Sequence, residues 1–244
     1  MKKYAIDFRL VREKLEKVTD FADFCRLIRQ YDSCCSTRND LRSASNSITT
    51  LKNIHEFAEM RKAYGEALVT HAVLMYTRSC HSKQSRRSNV GATKDFTSRH
   101  KACHARVVDL RDKVIAHFGD PIFFSGRDWV KERPTYIVTD DHEGLAFCSI
   151  RSIYNLDIVA DLTEVISRSL ETITKIIEEK DAALCVQIEE RISDLRLKNA
   201  IESSPFQPEK FYHSAEAVRS YWENTSGSIH TSGYNLPNRA DPDE

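Results

Sequence analysis

Apolar residues along the first part of the chain fall at helical intervals. Val11, Leu15, Val18, Ala22 and Cys25 recur three and four apart, and this spacing predicts one helix with a single buried face. A second stretch, through Leu51, Ile54, Ala58, Leu68, Ala72 and Met75, predicts another. Periodicity returns from about Ser98 to Phe118, where Gly119 and Pro121 supply a helix stop. From Asp157 to about Leu197 a long stripe runs through Leu162, Ile166, Leu170, Ile173, Ile177, Leu184, Ile188, Ile192 and Leu195. At ~1.5 Å per residue it predicts a continuous or broken helix of roughly 60 Å. That exceeds the usual needs of one compact domain, so a second copy of the chain is expected to pack against it.

Two short runs break the helical texture. Thr135 to Thr139 and Leu145 to Ile150 are rich in β-branched and aromatic residues and are separated by DDHEG, which predicts a small β-hairpin. Between residues 78 and 101 the periodicity stops. Arg78, Lys83, Arg86, Arg87, Lys94, Arg99 and Lys101 there face Asp95 alone, seven cations less one carboxylate, a local charge of +6. With Ser82, Ser85, Ser88, Asn89 and Gly91 among them, these residues predict an exposed basic loop. After Ser203 four of the six prolines fall in the last 42 residues and aliphatics are few, so residues 201–244 are expected to be a partly disordered, removable tail with a short helix near Ser214 to Glu223. Its aromatics, Phe206, Phe211, Tyr212, Tyr221, Trp222 and Tyr234, are expected to fold back or remain unstructured.

Composition narrows the fold class. Seven glycines and six prolines in 244 residues are too few for a strand-and-turn-rich sandwich or barrel, and a mainly α domain over residues 1–200 follows. With 36 basic and 36 acidic residues the chain has no net charge to steer it onto nucleic acid or an anionic membrane, so any such binding must come from a local patch. Seven cysteines without a CxxC pair fit reduced thiols in a cytoplasmic protein. Charges from Asp7 onward leave no signal-peptide core, and no apolar run approaches a membrane span. The sequence holds no GxxxxGK[ST], GxGxxG, HExxH or GxSxG motif, so nucleotide hydrolysis, dinucleotide redox chemistry, zincin proteolysis and α/β-hydrolase chemistry lose their main support. Cys80-His81 and Cys103-His104 are formally enough ligands for zinc, but their spacing matches no zinc knuckle, and neither metal nor cofactor is expected.

RDKVIAHFGDP, residues 111–121, concentrates the candidate chemistry. With Val114 at 0° and roughly 100° per residue, Cys103, Val107, Leu110 and Phe118 fall between about −40° and +40°. Arg111 and His117 flank it at about +60° and −60°, and Asp112, at about 160°, points away. A guanidinium at the margin of a buried face is costly unless paired or used. In the last turn of a helix, His117 is expected to have its pKa raised from ~6.5 by the negative helix end. A proton-exchanging His beside a permanent cation suits metal-free RNA cleavage, in which the ribose 2′-hydroxyl attacks its own phosphate. The bland alternative is an Arg paired with an acid elsewhere and a His that caps the helix end.

RDKVIAHFGD resembles the signature of the HEPN superfamily, an Arg followed by a polar residue and, a few positions on, a His near the end of a helix. Within it the wording is most similar to the toxin-type branch associated with abortive phage infection. The resemblance implies an HEPN-like helical bundle over residues 1–200 with the hairpin inserted after the motif helix. It further implies a metal-independent endoribonuclease with Arg111 and His117 as the catalytic pair and Asp112 in support. Its site would form where two motif helices meet across a homodimer twofold, with a protein antitoxin or defence partner in the background. Where silenced family members carry a Tyr two positions after the His, this chain has Gly119, so control by AMP transfer at that position is not expected. Arg78, Lys83, Arg86 and Arg87 of the basic segment would contact the RNA backbone. The competing expectation is a non-catalytic helical interaction or RNA-binding module.

Overall fold

The computed structural model describes residues 3–81, 90–115, 122–124, 127–151, 154–212 and 214–223, with the backbone alone at 122–124, 127–128 and 151. The fold is mainly α, carried by two long helices, α2 (Ala22–Asn53) and α5 (Leu156–Arg191). Among the described residues no helix is long and apolar enough to cross a membrane. The chain forms two compact units, one of residues 1–32 with 180–244 and one of 33–179, so α2 and α5 each run through both.

The first unit begins with β1 (Ala5–Ile6) and α1 (Phe8–Leu15), capped by Asp7, whose carboxylate accepts the N–H groups of Arg9 and Leu10. The single helix expected from Val11 to Cys25 is broken. Val18 N–H bonds back to Leu15, a 3₁₀ turn covers Thr19–Phe21, and α2 starts anew, leaving Ala22 exposed. The break is stabilised by packing: Phe21 drops into the core, edge-on to Phe24 at 6.3 Å, beneath the guanidinium groups of Arg191 and Arg196. Val11, Leu15, Phe24 and Ile28 close this core with Leu184 from the end of α5 and Leu197 from α6 (Leu195–Glu202).

The long C-terminal stripe is therefore two helices, interrupted at Ile192–Asp194, where Asp194 caps α6 through the N–H of Arg196. Ser204 is fully buried, its carbonyl accepts the Asp7 N–H, and β5 (Pro205–Phe206) pairs antiparallel with β1. The tail thus starts as part of the unit. Phe206 lies 5.2 Å from Phe211 of α7 (Pro208–Phe211) and 5.5 Å from Tyr221 of α8 (Ala215–Glu223), the helix expected there.

In the second unit, α2 contributes Leu41, Ala44, Ile48 and Leu51, and α3 (Ala58–Cys80) contributes Val69, Ala72, Val73 and Tyr76. From α4 (Ser98–Leu110) come Cys103, Val107 and Leu110, and from α5 come Leu162, Val165, Ile166 and Ile173. Most recur at three- and four-residue steps, and Ile173 follows Ile166 by seven. The stretch expected to run unbroken from Leu51 to Met75 turns at Ile54–Phe57 without a Gly or Pro; Arg61 instead donates to the His55 carbonyl at 2.6 Å. Polar pairs with one buried member each latch the helices: Ser47 to His71 between α2 and α3, and Arg106 to Asp161 between α4 and α5.

Beyond α4 come β2 (Ile122–Phe124), β3 (Arg127–Val138) and β4 (Glu143–Arg151), a sheet in that order. The hairpin is longer than its two apolar runs. Thr139 N–H bonds to the His142 carbonyl, a tight turn at Asp140–Asp141, and pairing then extends to Val130–Arg151, where buried Trp129 and Val130 root the arm.

Candidate functional site

Thr97 and His100 start α4 with a reciprocal capping box, and the helix carries a buried edge forward through Val107 to Leu110. At Arg111 the ladder changes: Arg111–Ile115 forms a π-helical turn. Turns of this kind are rare, and many occur at functional sites. The helix arithmetic of 100° per residue therefore ends at Leu110. Val114 is still buried, whereas Arg111 and Asp112 reach solvent, with side chains 42% and 43% exposed. Asp112 Oδ1 accepts from Arg111 Nη1 at 2.6 Å. Lys113 pairs with Asp109 at 2.9 Å one turn back. His117, Gly119 and Pro121 lie outside the described residues.

The segment read as a basic loop is resolved into different parts. Arg78 belongs to α3, and its guanidinium forks onto Asp40, a buried carboxylate of α2, with Nε at 2.8 Å from Oδ2 and Nη2 on Oδ1. Arg99, in the first turn of α4, grips Glu164 of α5 at 2.7 Å. Counting charges along the chain missed both acids because they are supplied by other helices. Lys83, Arg86 and Arg87 lie outside the described residues.

Two polar groupings were not expected. Tyr76, fully buried, bonds through its hydroxyl to His104 Nδ1 at 2.7 Å, with Phe96 edge-on to the imidazole and the His81 ring 6.1 Å away. Burial, reinforced by His81, pushes the His104 pKa below its ordinary value, so the ring is neutral at pH 7. Burial also pushes the Cys80 thiol up to about 12, beside Ser169, and raises that of Cys103. The Cys-His dipeptides thus hold protonated, unreactive thiols in a helix interface. His104 stands two helical turns before Arg111, about 10 Å along the axis and on the same face. That seven-residue spacing is visible in the sequence.

The second grouping lines an open cleft of about 560 Å³. His55 Nδ1 meets the Tyr154 hydroxyl at 2.6 Å there, over Leu51 and Val159, with Arg99 and Glu164 at the rim. Tyr154 stacks against Gly65, where an added Cβ would meet its ring at 3.3 Å. Neither Arg111 nor Asp112 lines this cleft. No protein-family model, curated protein or solved structure matches the chain.

Proposed function

We propose that this protein is a metal-independent endoribonuclease of a toxin or abortive-infection defence system, with Arg111 and His117 as its catalytic pair. The observation that carries the reading is a half-exposed Arg111 in a π turn that follows the buried edge of α4, inside a segment worded RDKVIAHFGD. A purely structural Arg in that place would sit in buried hydrogen bonds; this one reaches water beside a neighbouring carboxylate.

In the proposed reaction the ribose 2′-oxygen attacks the adjacent phosphorus, and the bond from phosphorus to the 5′-oxygen breaks. His117 of one copy accepts the 2′-hydroxyl proton, and the second His117 of a dimer returns a proton to the leaving oxygen. Arg111 stabilises the negative charge gathering on the phosphoryl oxygens, for which its planar fork is suited. Two copies provide the acid and base that a single His per chain cannot supply at once.

His117→Ala should lower cleavage of a mixed RNA substrate by about 10²-fold or more while leaving helicity intact, since acid-base groups typically contribute 10² to 10⁴. EDTA should leave the wild-type rate unchanged. A variant that cleaves as fast as wild type would remove the catalytic pair and leave a helical interaction module.

A further inference from the structure

The hairpin arm ends in an edge that nothing in its own sequence guards. In the order β2-β3-β4, the last strand has a neighbour on one side only among the described residues. Thr139 bonds to His142 across the turn, so pairs alternate from there: Ile137 with Gly144 and Thr135 with Ala146 exchange backbone bonds. Tyr136 opposite Leu145, Pro134 opposite Phe147 and Glu132 opposite Ser149 do not. The N–H and C=O groups of Leu145, Phe147 and Ser149 therefore point outward, away from β3. On the far side of β3 the outward position 134 is a proline with no N–H to offer. Strand β4 has no proline and no lysine, the usual guards of a free edge, and its only charges are Glu143 and Arg151 at its two ends. Its side chains are open as well, with Leu145 86% and Phe147 65% exposed, on the face they share with exposed Tyr136 and Val138.

We propose that β4 pairs antiparallel with β4 of a second copy, about a twofold axis at Phe147. The strand is self-complementary about that residue, the midpoint of 143–151. A twofold there sets Phe147 against Phe147, Leu145 against Ser149, and Glu143 against Arg151 of the other copy. The residues whose backbone groups point outward are the ones this register joins in hydrogen-bonded pairs. The end charges that meet are opposite in sign, whereas a parallel pairing in register would set like charges side by side. The contact is isologous and closed, joining two three-stranded sheets into one without leaving a growing edge. The proposal goes beyond the ribonuclease reading: it rests on the strand geometry alone, is tested without RNA and stands or falls separately.

Light scattering at micromolar concentration should give twice the 28.1 kDa chain mass. Phe147→Pro, which removes an outward N–H that β3 does not use, should give the monomer with unchanged helical circular dichroism. The register has its own test: Ala146 falls opposite Cys148 of the second copy in a non-bonded pair, with Cα atoms about 4.5 Å apart, within disulfide reach. In a Cys185→Ser background, Ala146→Cys should yield a covalent dimer under oxidised glutathione, and adding Cys148→Ser should abolish it. A monomeric wild type overturns the proposal, including the case in which a strand from a different protein fills the edge. A dimer that survives Phe147→Pro and is not trapped by Ala146→Cys places the association elsewhere and also overturns it.

Discussion

Replacing Asp112 by Asn separates a working cation from a structural one. The bond from Arg111 Nη1 to Asp112 Oδ1 is short, 2.6 Å, but both side chains stand half in water. Ion pairs so placed stabilise folded proteins by ~0–1 kcal/mol, because solvent screens the attraction and two side chains lose freedom to hold it. For a chain of this length that is a fall in melting temperature of no more than about 4 °C. Positioning is a different quantity. Without the carboxylate the guanidinium no longer has a charged partner fixing its plane, and loss of one charge-assisted bond in the transition state should lower kcat about tenfold, roughly 1.4 kcal/mol. KM should change little, since Arg111 keeps its charge for the ground-state phosphate. The assay pairs calorimetric melting with initial rates on a defined RNA over a range of concentrations, using Arg111→Lys as the reference for a cation without its fork. A melting temperature lowered by more than about 10 °C would show the pair to be part of the fold. Unchanged kcat, or a lower KM at constant kcat, would show that Asp112 merely competes with the phosphate.

The Arg106–Asp161 latch between α4 and α5 gives a prediction with a pH sign. Burial alone would raise the Asp161 pKa, but hydrogen bonds from Arg106 and Cys103 and the charge of Arg106 together hold it below its ordinary value. The stability it confers is therefore fully present above the unfolded value of ~3.9 and lost as pH falls through the lower folded value. Asp161→Ala should cost about 1.5–2 kcal/mol in urea unfolding at pH 7, modest because Arg106 retains access to water, and the two stability curves should converge in acid. Curves that stay parallel through acid would count against the latch. Removing residues 204–244 strips β5 from β1 and the Phe206 aromatic contacts, so the melting temperature should fall by at least about 4 °C; an unchanged melt would show that these contacts add no stability.

Helical periodicity alone determined the fold class and most of the core: the steps through Val107 and Leu110, or through Leu162, Ile166 and Ile173, bury those residues in the structure as the spacing requires. The hairpin was legible for the same reason, since alternating β-branched and aromatic residues around DDHEG suit no helix. RDKVIAHFGD marked one helix end as the place to look. What periodicity could not show is where a pattern is interrupted without a Gly or Pro, as at Val18 and at Ile54–Phe57. There the register of each half suits a helix, and only the packing of Phe21 and the Arg61 bond to the His55 carbonyl favour a turn. Charge was the other blind spot: Arg78 and Arg99 belong to a cationic stretch in sequence, yet each is held by an acid from another helix, Asp40 and Glu164. The π turn belongs to the same class. Periodicity shows neither that the chain leaves the α-helical ladder at Arg111 nor that Asp112 Oδ1 accepts from Arg111 Nη1. Local pattern specifies which residues seek burial; only the assembled helices decide which turn lets them, and which charges meet as a result.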